Sequence, residues 1–434
     1  MRLGDHGSGA KRYHGAVPDS PALIPRRAAA VVREALADTR VVLVNGARQA
    51  GKSTLTRIVG GEREGTLTRL LDDPATIAAA LDDPSTFVEH DGLMVIDEIQ
   101  LAPQLMRPIK LVVDQDPSPG RFLLTGSARV LSLRDLPDAL PGRMEIVELW
   151  PLSQGEIDGA ADSFVDAVFS GADDLRHNSS LRKRDYLERA TVGGFPEVLR
   201  RTPRRREAFF ASYLTTLVER DIPQLSNIER RGDLLRLLGL VAARLGGPLT
   251  PATLANDLGI PRTTVIRHLD LLAEVFLIRT IPAWSSGATR RAVGVPKPAV
   301  TDSGIACHLL GQDAARLADI GGAAGPVLEN FVAMEIARQL TWSDQRARLF
   351  HYRTKDGVEV DLVLETPDGR IVGIEVKAGA TVRSEDLAGL RHLARVLGDR
   401  FVCGYVLHTG GQSLSFGDRL RALPMDALWQ MNRS

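Results

Sequence analysis

The sequence predicts an α/β protein: a parallel sheet near the N-terminus, a helical middle and a second α/β unit at the C-terminus. Three observations carry that prediction. The apolar runs "RVVLVN", "GLMVID" and "RFLLTG" have strand length and leave room for helices between them, the pattern of a parallel sheet buried on both faces. From about 151 to 245 the apolar residues recur at helical spacing. Beyond 301 a long helix, "PVLENFVAMEIARQL", precedes alternating runs joined by the Asp-Gly turns of "KDGVE" and "TPDGR".

The chain has 434 residues, enough for two to four domains at about 100–200 residues each. Lys plus Arg and Asp plus Glu each total 54, so a nucleic-acid partner has to be met by a local basic patch. No apolar run reaches the roughly 20 residues of a membrane span, and no membrane partner is expected. The start, "MRLGDHGSGAKRYHGAVPDSP", is polar and Gly-rich with no apolar secretory core; residues 1–24 read as a flexible arm. Cys307 and Cys403 are the only cysteines, which suits a reducing compartment and a cytoplasmic chain.

The first unit, 25–150, opens with an amphipathic helix over "PRRAAAVVREALAD" leading into "RVVLVN". Directly after that strand, "NGARQAGKST" fits G-x-x-x-x-G-K-[ST] at every specified position. Glycines at Gly46 and Gly51 let the backbone N–H groups of Ala47, Arg48, Gln49, Ala50 and Thr54 turn toward phosphate oxygens, helped by the following helix N-terminus. Lys52 is placed for the β- and γ-phosphates and Ser53 for Mg²⁺. The strand "LMVIDE" ends in Asp97, a second Mg²⁺ partner through water, and Glu98, which can orient or deprotonate an attacking water. In "LLTGSAR" Thr125 or Ser127 is placed to sense the γ-phosphate. The cation that phosphoryl transfer needs is sought among Arg129, Arg134 and Arg143, in the same chain or across a subunit interface, with a solvated surface arginine as the plain alternative.

Residues 151–231 read as a helical lid, with "RKRDYLERATVGG" and "RREAFFASYLTTLVERD" its clearest pieces. Residues 232–300 then resemble a winged helix-turn-helix. Thr250 can cap a short helix, Gly259 breaks it and Pro261 opens the next at a first-turn position. Val265, Leu269 and Leu272 line one face of that helix, with Thr263, Thr264 and Arg267 opposite. From 259 to 298 six cations (Arg262, Arg267, Arg279, Arg290, Arg291, Lys297) stand against two acids (Asp270, Glu274), a net +4. That suits a DNA contact with Arg290 and Arg291 on phosphates; a packing or protein-binding module is the alternative.

The C-terminal unit, 301–434, carries a second possible chemistry. In "VEVDLVLE", Val358, Val360, Leu362 and Leu364 face one way and Glu359, Asp361, Val363 and Glu365 the other. Pairing through the "TPDG" turn with "RIVGIEVKAG" puts Asp361, Glu375 and Lys377 on one face. Two carboxylates in reach of each other can bind a divalent metal, and a nearby lysine can activate water on it. This Asp…Glu-x-Lys arrangement resembles the PD-(D/E)XK nuclease superfamily. The resemblance implies a restriction-endonuclease-like α/β fold, and with it a further metal ligand on the preceding helix, at Glu329.

Taken in order, "NGARQAGKST", "IDEIQLAP", "LLTGSAR", "TVGGFPEVL", "LVERDI" and "HYRTKDGVEVDLVLE…GIEVKAG" resemble a bacterial and archaeal family of AAA-type ATPases with a C-terminal domain of unknown function. The resemblance spans residues 25 to 410. It implies a P-loop parallel α/β ATPase core, and ATP and Mg²⁺ held by Gly46, Gly51, Lys52, Ser53, Asp97 and Glu98. The leading expectation is an ATPase whose nucleotide state repositions the winged helix and nuclease-like tail on DNA, as a monomer or an oligomer. An ATP-regulated metal-dependent nuclease, and an ATP-dependent switch that binds a protein and cuts nothing, are the competing readings.

Overall fold

Apolar runs short enough for strands become a buried sheet because helices cover both of its faces. The computed structural model describes residues 23–127, 140–171, 175–222, 231–287, 294–319 and 322–432. Arg129, Arg134, Arg290, Arg291 and the arm up to residue 22 lie outside the described residues. Helix α1 (Ala28–Asp38) turns Ala28, Val32, Ala35 and Leu36 inward, a stripe at i, i+4, i+7 and i+8. It starts after "PRR" rather than at Pro25. Strand β1 (Val41–Gly46) is buried at every position, and α2 (Lys52–Gly61) follows it. Then come β2 (Leu67–Leu70), α3 (Pro74–Asp82), β3 (Met94–Asp97), α4 (Met106–Gln115), β4 (Phe122–Gly126) and β5 (Met144–Leu149).

These five strands form one parallel sheet in the order β2-β3-β4-β1-β5. Strand β2, "LTRL", carries no apolar run; it is a half-buried edge strand, which is why the sequence hid it. Because all the strands point one way, Gly46, Asp97 and Gly126 finish along the same edge of the sheet. That edge is where open α/β sheets place their ligands.

The middle of the chain is helical, with α5 (Lys183–Val192), α6 (Pro203–Thr216), α7 (Arg231–Ala243), α8 (Pro251–Leu258) and α9 (Arg262–Glu274). Thr250 caps α8 by accepting the Thr253 N–H at 3.3 Å, and Gly259 ends it at φ +67°. Pro261 is the N-cap of α9, one position outside the helix rather than inside its first turn. Val265 and Leu272 are buried, Leu269 is half-buried, and Thr263 and Arg267 are exposed. An antiparallel pair, β6 (Ile278–Ile281) and β7 (Lys297–Val300), closes this segment.

After α10 (Ser303–Leu309), helix α11 (Ala324–Gln339) is buried at every position from Asn330 to Gln339. A helix covered on all sides is a central element rather than a surface one. The C-terminal sheet contains β8 (Arg348–Arg353), β9 (Glu359–Glu365) and β10 (Ile371–Lys377). Helix α12 (Ala388–Leu397), β11 (Phe401–His408), β12 (Leu414–Ser415) and β13 (Leu420–Pro424) complete it. Its order is β12-β13-β11-β10-β9-β8, with β10, β11 and β13 parallel and the other pairings antiparallel. Gly357 (φ +85°) and Gly369 (φ +86°) supply the left-handed residue of the two hairpin turns.

Strict alternation in β9 fails at one residue. Leu362 and Leu364 share a core with Val372 and Ile374, but Val360 packs with Val363 and Ile371 on the opposite side. The β8–β9 register shifts between Phe350 and Tyr352, and such an irregularity turns neighbouring side chains to the other face. One apolar core runs from Ala47 and Ala50 through α5, α6, α7 and α11 to the C-terminal sheet. The loop after β1 therefore packs on the same core as the tail.

Candidate functional site

The loop between β1 and α2 is shaped by its glycines and by what lies behind it. A Cβ on Gly46 would lie 2.0 Å from the Leu149 carbonyl oxygen, so only glycine lets β1 leave the sheet there. Gly51 adopts φ +97° and Gln49 φ +60°, a left-handed pair that turns the backbone over the start of α2. Arg26 holds the loop from below, donating to the Ala50 carbonyl at 2.6 Å, to the Trp150 carbonyl at 2.7 Å and to Glu156 at 3.1 Å. Tyr213 on α6 donates its hydroxyl to the Arg48 carbonyl at 3.2 Å. Ala47 and Ala50 are fully buried, while Arg48, Gly51 and Thr54 are half-buried and Gln49 is exposed.

Inside this cradle Lys52 is buried, and its ammonium donates to the carbonyls of Gly46 and Ala47 at 3.0 Å each. Burial lowers it to about 8, against the opposing pull of Glu98 and Asp97. A cation desolvated and aimed into a glycine loop at a helix start is suited to phosphate oxygens. Beside it runs a chain of hydrogen bonds along the sheet edge. Ser53 donates to Asp97 Oδ1 at 3.1 Å, and the Thr125 hydroxyl donates to the same oxygen. The Glu98 N–H donates to Thr125 Oγ1 at 2.9 Å, while Ser127 donates to Glu98 Oε1 at 2.8 Å and Gln100 to Glu98 Oε2. Glu98 sits at φ +59°, a conformation that costs a non-glycine residue about 1 kcal/mol or more and gathers at functional sites.

The structure thus brings Gly46, Gly51, Lys52, Ser53, Asp97, Glu98 and Ser127 to one edge. These residues fit Mg²⁺·ATP: Lys52 for the phosphates, Ser53 and Asp97 for the metal, and Glu98 for a water. Thr125 holds both acids in place. Gln100 escaped the sequence reading, although its position two residues past Glu98, in a 3-10 turn over Ile99–Leu101, was available to it.

Arg143 does not join this edge within its own chain, which corrects the half of its assignment that placed it in the same chain's site. It precedes β5, whose Met144 pairs with Val41 and whose Leu149 pairs with Gly46. At about 3.3 Å per residue it lies about 20 Å from the loop, at the opposite end of the sheet. There it forms a bidentate ion pair with Asp114 on α4.

A second cluster forms on the C-terminal sheet. Asp361 and Glu375 meet across β9 and β10 just past the last pair of the ladder, Ile374 with Leu362, and interact through their side chains. Asp361 accepts the Val376 N–H at 2.8 Å where the ladder ends. Gly389 lets α12 approach closely; a Cβ there would lie 2.9 Å from Glu375 Oε1. Burial and the neighbouring Asp361 push Glu375 up to about 9, and the same two causes push Glu329 up to about 7. Lys377 stands 3.9 Å from Glu375 and 3.7 Å from Asp386.

The residue that the sequence misassigned here is Lys297. Counted toward a DNA-facing patch, it is only 2% exposed and points from β7 into this cluster. Its ammonium lies 3.0 Å from Glu329, 2.7 Å from Glu359 and 3.9 Å from Asp361. An ammonium among these acids does not fit a resident divalent metal, so Glu329, Asp361 and Glu375 form no metal centre in this arrangement. Among the described residues no group of three or more His, Cys, Asp or Glu side chains is arranged to hold a metal ion. Arg279 is half-buried, over Trp150 and 3.7 Å from Glu148. Of the six cations counted for DNA, Arg262 and Arg267 on α9 remain exposed among the described residues. No described helix is long and apolar enough to cross a membrane.

Comparison with known proteins agrees with the edge-of-sheet geometry. The family described as an AAA domain matches residues 38–158, the whole parallel sheet, and marks that unit as an AAA-type P-loop ATPase core. Two families described as domains of unknown function, DUF8612 and DUF4143, match residues 183–316 and 324–428. The uncharacterized protein Rv2008c of Mycobacterium tuberculosis is 31% identical over 363 residues, covering 83% of this chain and 75% of that protein. The uncharacterized protein Mb2031c of Mycobacterium bovis gives the same figures. An uncharacterized protein of Haemophilus influenzae is 23% identical, with 69% of each chain covered. Among solved structures, the Thermotoga maritima RuvB Holliday junction branch migration motor is 17% identical, covering 60% of this chain and 90% of that one. Its TM-score of 0.27 is too low for the superposition to carry an argument. Through its N-terminal AAA domain and its relationship over most of their length to the two mycobacterial proteins, the chain belongs to the same protein family as they do.

Proposed function

We propose that the chain is a Mg²⁺-dependent ATPase acting as a nucleotide-driven switch on the segments packed behind its phosphate loop. The observation that carries this reading is the desolvated Lys52 ammonium, bonded to its own loop beside the Ser53–Asp97–Thr125–Glu98–Ser127 chain. When bound, Mg²⁺·ATP supplies the phosphoryl group to be cleaved and the cation that neutralises it. Lys52 exchanges the Gly46 and Ala47 carbonyls for phosphate oxygens. Ser53 and Asp97 would hold the metal, and Glu98, fixed by Ser127 and Gln100, would orient water and take its proton. Arg143 plays no part in its own chain's site.

The loop's backbone is tied to the rest of the molecule by Tyr213 at Arg48 and by Arg26 at Ala50. A change of loop conformation therefore pulls on α6 and on residues 150–156. We assign α7, α8, α9 and the β6–β7 pair to a winged helix-turn-helix, and the C-terminal sheet to a restriction-endonuclease-like fold. The exposed Arg262, Thr263 and Arg267 on α9 favour duplex DNA as the partner of the switch. A second reading, a protein partner, is favoured by the buried pairing of Lys297 and the pairing of Arg279 with Glu148, which leave a weaker field for phosphates.

The test is ATP turnover with Mg²⁺, with and without duplex and single-stranded DNA, for wild type, Lys52→Ala and Glu98→Gln. Turnover present in wild type and lost in both variants is expected. DNA stimulation decides for the first partner, and turnover indifferent to DNA decides for the second. Wild-type protein that neither binds nor hydrolyses ATP would sink the proposal as a whole.

A further inference from the structure

Of the two cations on the β6–β7 pair, Arg279 is half-buried and Lys297 fully buried, and the surroundings of Lys297 explain why. On β7 it is paired through Ile281, and the segment just past β6 is stapled to the tail. Trp284 donates its N–H to the His351 carbonyl at 2.6 Å, and His351 donates its own to the Pro282 carbonyl at 3.0 Å. A His351 ring nitrogen lies 3.0 Å from the Val295 carbonyl, two residues before Lys297. Both strands of the pair are thus fastened to the edge strand β8 at the end where Ile281 faces Lys297, and the lysine is delivered across that seam.

The carboxylates facing it come from two elements. Glu329 lies on α11, and Glu359 and Asp361 lie on β9. Glu375 stands behind Asp361 on β10, with Lys377 and Asp386 at its outer side. Arg353 on β8 reaches Glu359 from the surface at 3.3 Å. Carboxylates converging from separate elements at 2.7–3.9 Å around one charge form the environment proteins build for a cation. Here the cation is part of the chain. A divalent ion on Asp361 and Glu375 would sit within a few ångströms of the ammonium, and their repulsion in a buried setting opposes both being present.

We propose that Lys297 is a built-in cation that occupies the carboxylate cluster of the C-terminal sheet and keeps divalent metal ions out of it while strand β7 stays docked. The sheet then presents the acids of a metal site in a closed form, and opening requires the β6–β7 pair to part from β8. The inference does not depend on nucleotide hydrolysis, so its failure and that of the ATPase reading are separable.

The experiment measures Mn²⁺ binding by electron paramagnetic resonance on the full chain without nucleotide. Four proteins are compared: wild type, Asp361→Asn, Lys297→Met and the Lys297→Met/Asp361→Asn double variant. Wild type and Asp361→Asn are expected to bind alike, because the cluster is closed in both. Lys297→Met is expected to gain a site at least tenfold tighter than any in wild type, absent again from the double variant. Wild-type binding lost on Asp361→Asn overturns the proposal, and so does a folded Lys297→Met protein that binds no more Mn²⁺ than wild type. If Lys297→Met fails to fold, the comparison of wild type with Asp361→Asn still decides.

Discussion

Lys52 is held at a cost in the nucleotide-free protein, and that cost should be visible as a proton taken up when ATP binds. Its ammonium is lowered from 10.5 to about 8, first by burial. At about 1.4 kcal/mol per unit this difference is about 3 kcal/mol. Phosphate oxygens restore the charged form, so binding is linked to protonation of the lysine. The fraction already protonated falls from about nine-tenths at pH 7 to about one-tenth at pH 9. Over that range ATP affinity should drop about tenfold, while the phosphates, which titrate near pH 6, stay fully ionised. At pH 8.5 binding should take up about three-quarters of a proton. Calorimetric titrations in two buffers of different ionisation enthalpy measure this number directly. Affinity flat from pH 7 to 9, with no proton uptake at 8.5, would falsify the account of Lys52 as a desolvated cation waiting for phosphate.

The same lysine predicts that Lys52→Met, although it abolishes nucleotide binding, raises the stability of the nucleotide-free fold at pH 7 by about 1–2 kcal/mol, less than the whole charge cost because two carbonyls lose a donor; a lower urea midpoint would contradict this. Gly46→Ala, whose Cβ would lie 2.0 Å from the Leu149 carbonyl, should cost about 3 kcal/mol in a urea melt without nucleotide, and an unchanged midpoint would refute the close approach. Asp162 is fully buried, receives hydrogen bonds from Ser153 and Gln339, and is raised to about 6 chiefly by burial. Its folded form holds a proton that the unfolded form releases, so its contribution is complete below about pH 4 and is lost as pH rises to about 6, a fall of about 3 kcal/mol. Asp162→Asn should make the fall in stability between about pH 4 and 6 smaller than in wild type by about 3 kcal/mol, leaving what the raised Glu329 and Glu375 contribute, and a fall as large as in wild type would assign the whole of it to other groups. Arg143→Ala should leave ATP turnover of the monomeric protein within about twofold, since the side chain is about 20 Å from the loop along β5; a loss of tenfold or more in the monomer would place Arg143 in its own site after all.

What could be read from the sequence was whatever is encoded locally. The phosphate loop was legible because its glycines answer to backbone geometry within a few residues: Gly51 at φ +97° and Gly46 against Leu149. The hairpins were legible because Asp-Gly places its glycine at φ +85° and +86°. Strand β2 was not, because an edge strand with alternating exposure needs no apolar run. Val360 was not, because the shift that turns it is set by the partner strand β8. Arg143 lies near the motifs in sequence, yet residues that begin a parallel strand and residues that follow one stand at opposite ends of the sheet.

Lys297 shows where charge counting along a chain breaks down. Its neighbours in sequence, Arg290 and Arg291, made it one of a basic run, and a run of that kind reads as a surface for phosphates. Its partners in space lie on α11 and β9, 32 or more residues further on. Only the pairing of β7 with β6, and the fastening of that pair to β8, turns the lysine inward. Two of the three acids that suggested a metal, Glu329 and Asp361, are among those that fix the lysine, so one cluster accounts for both the missing DNA charge and the proposed closed metal site. If that is right, the Lys297→Met substitution should leave the exposed charge of α9 unchanged. Salt-dependent DNA binding should then stay the same in a variant that has gained a Mn²⁺ site, and a change in both together would mean the two surfaces are one.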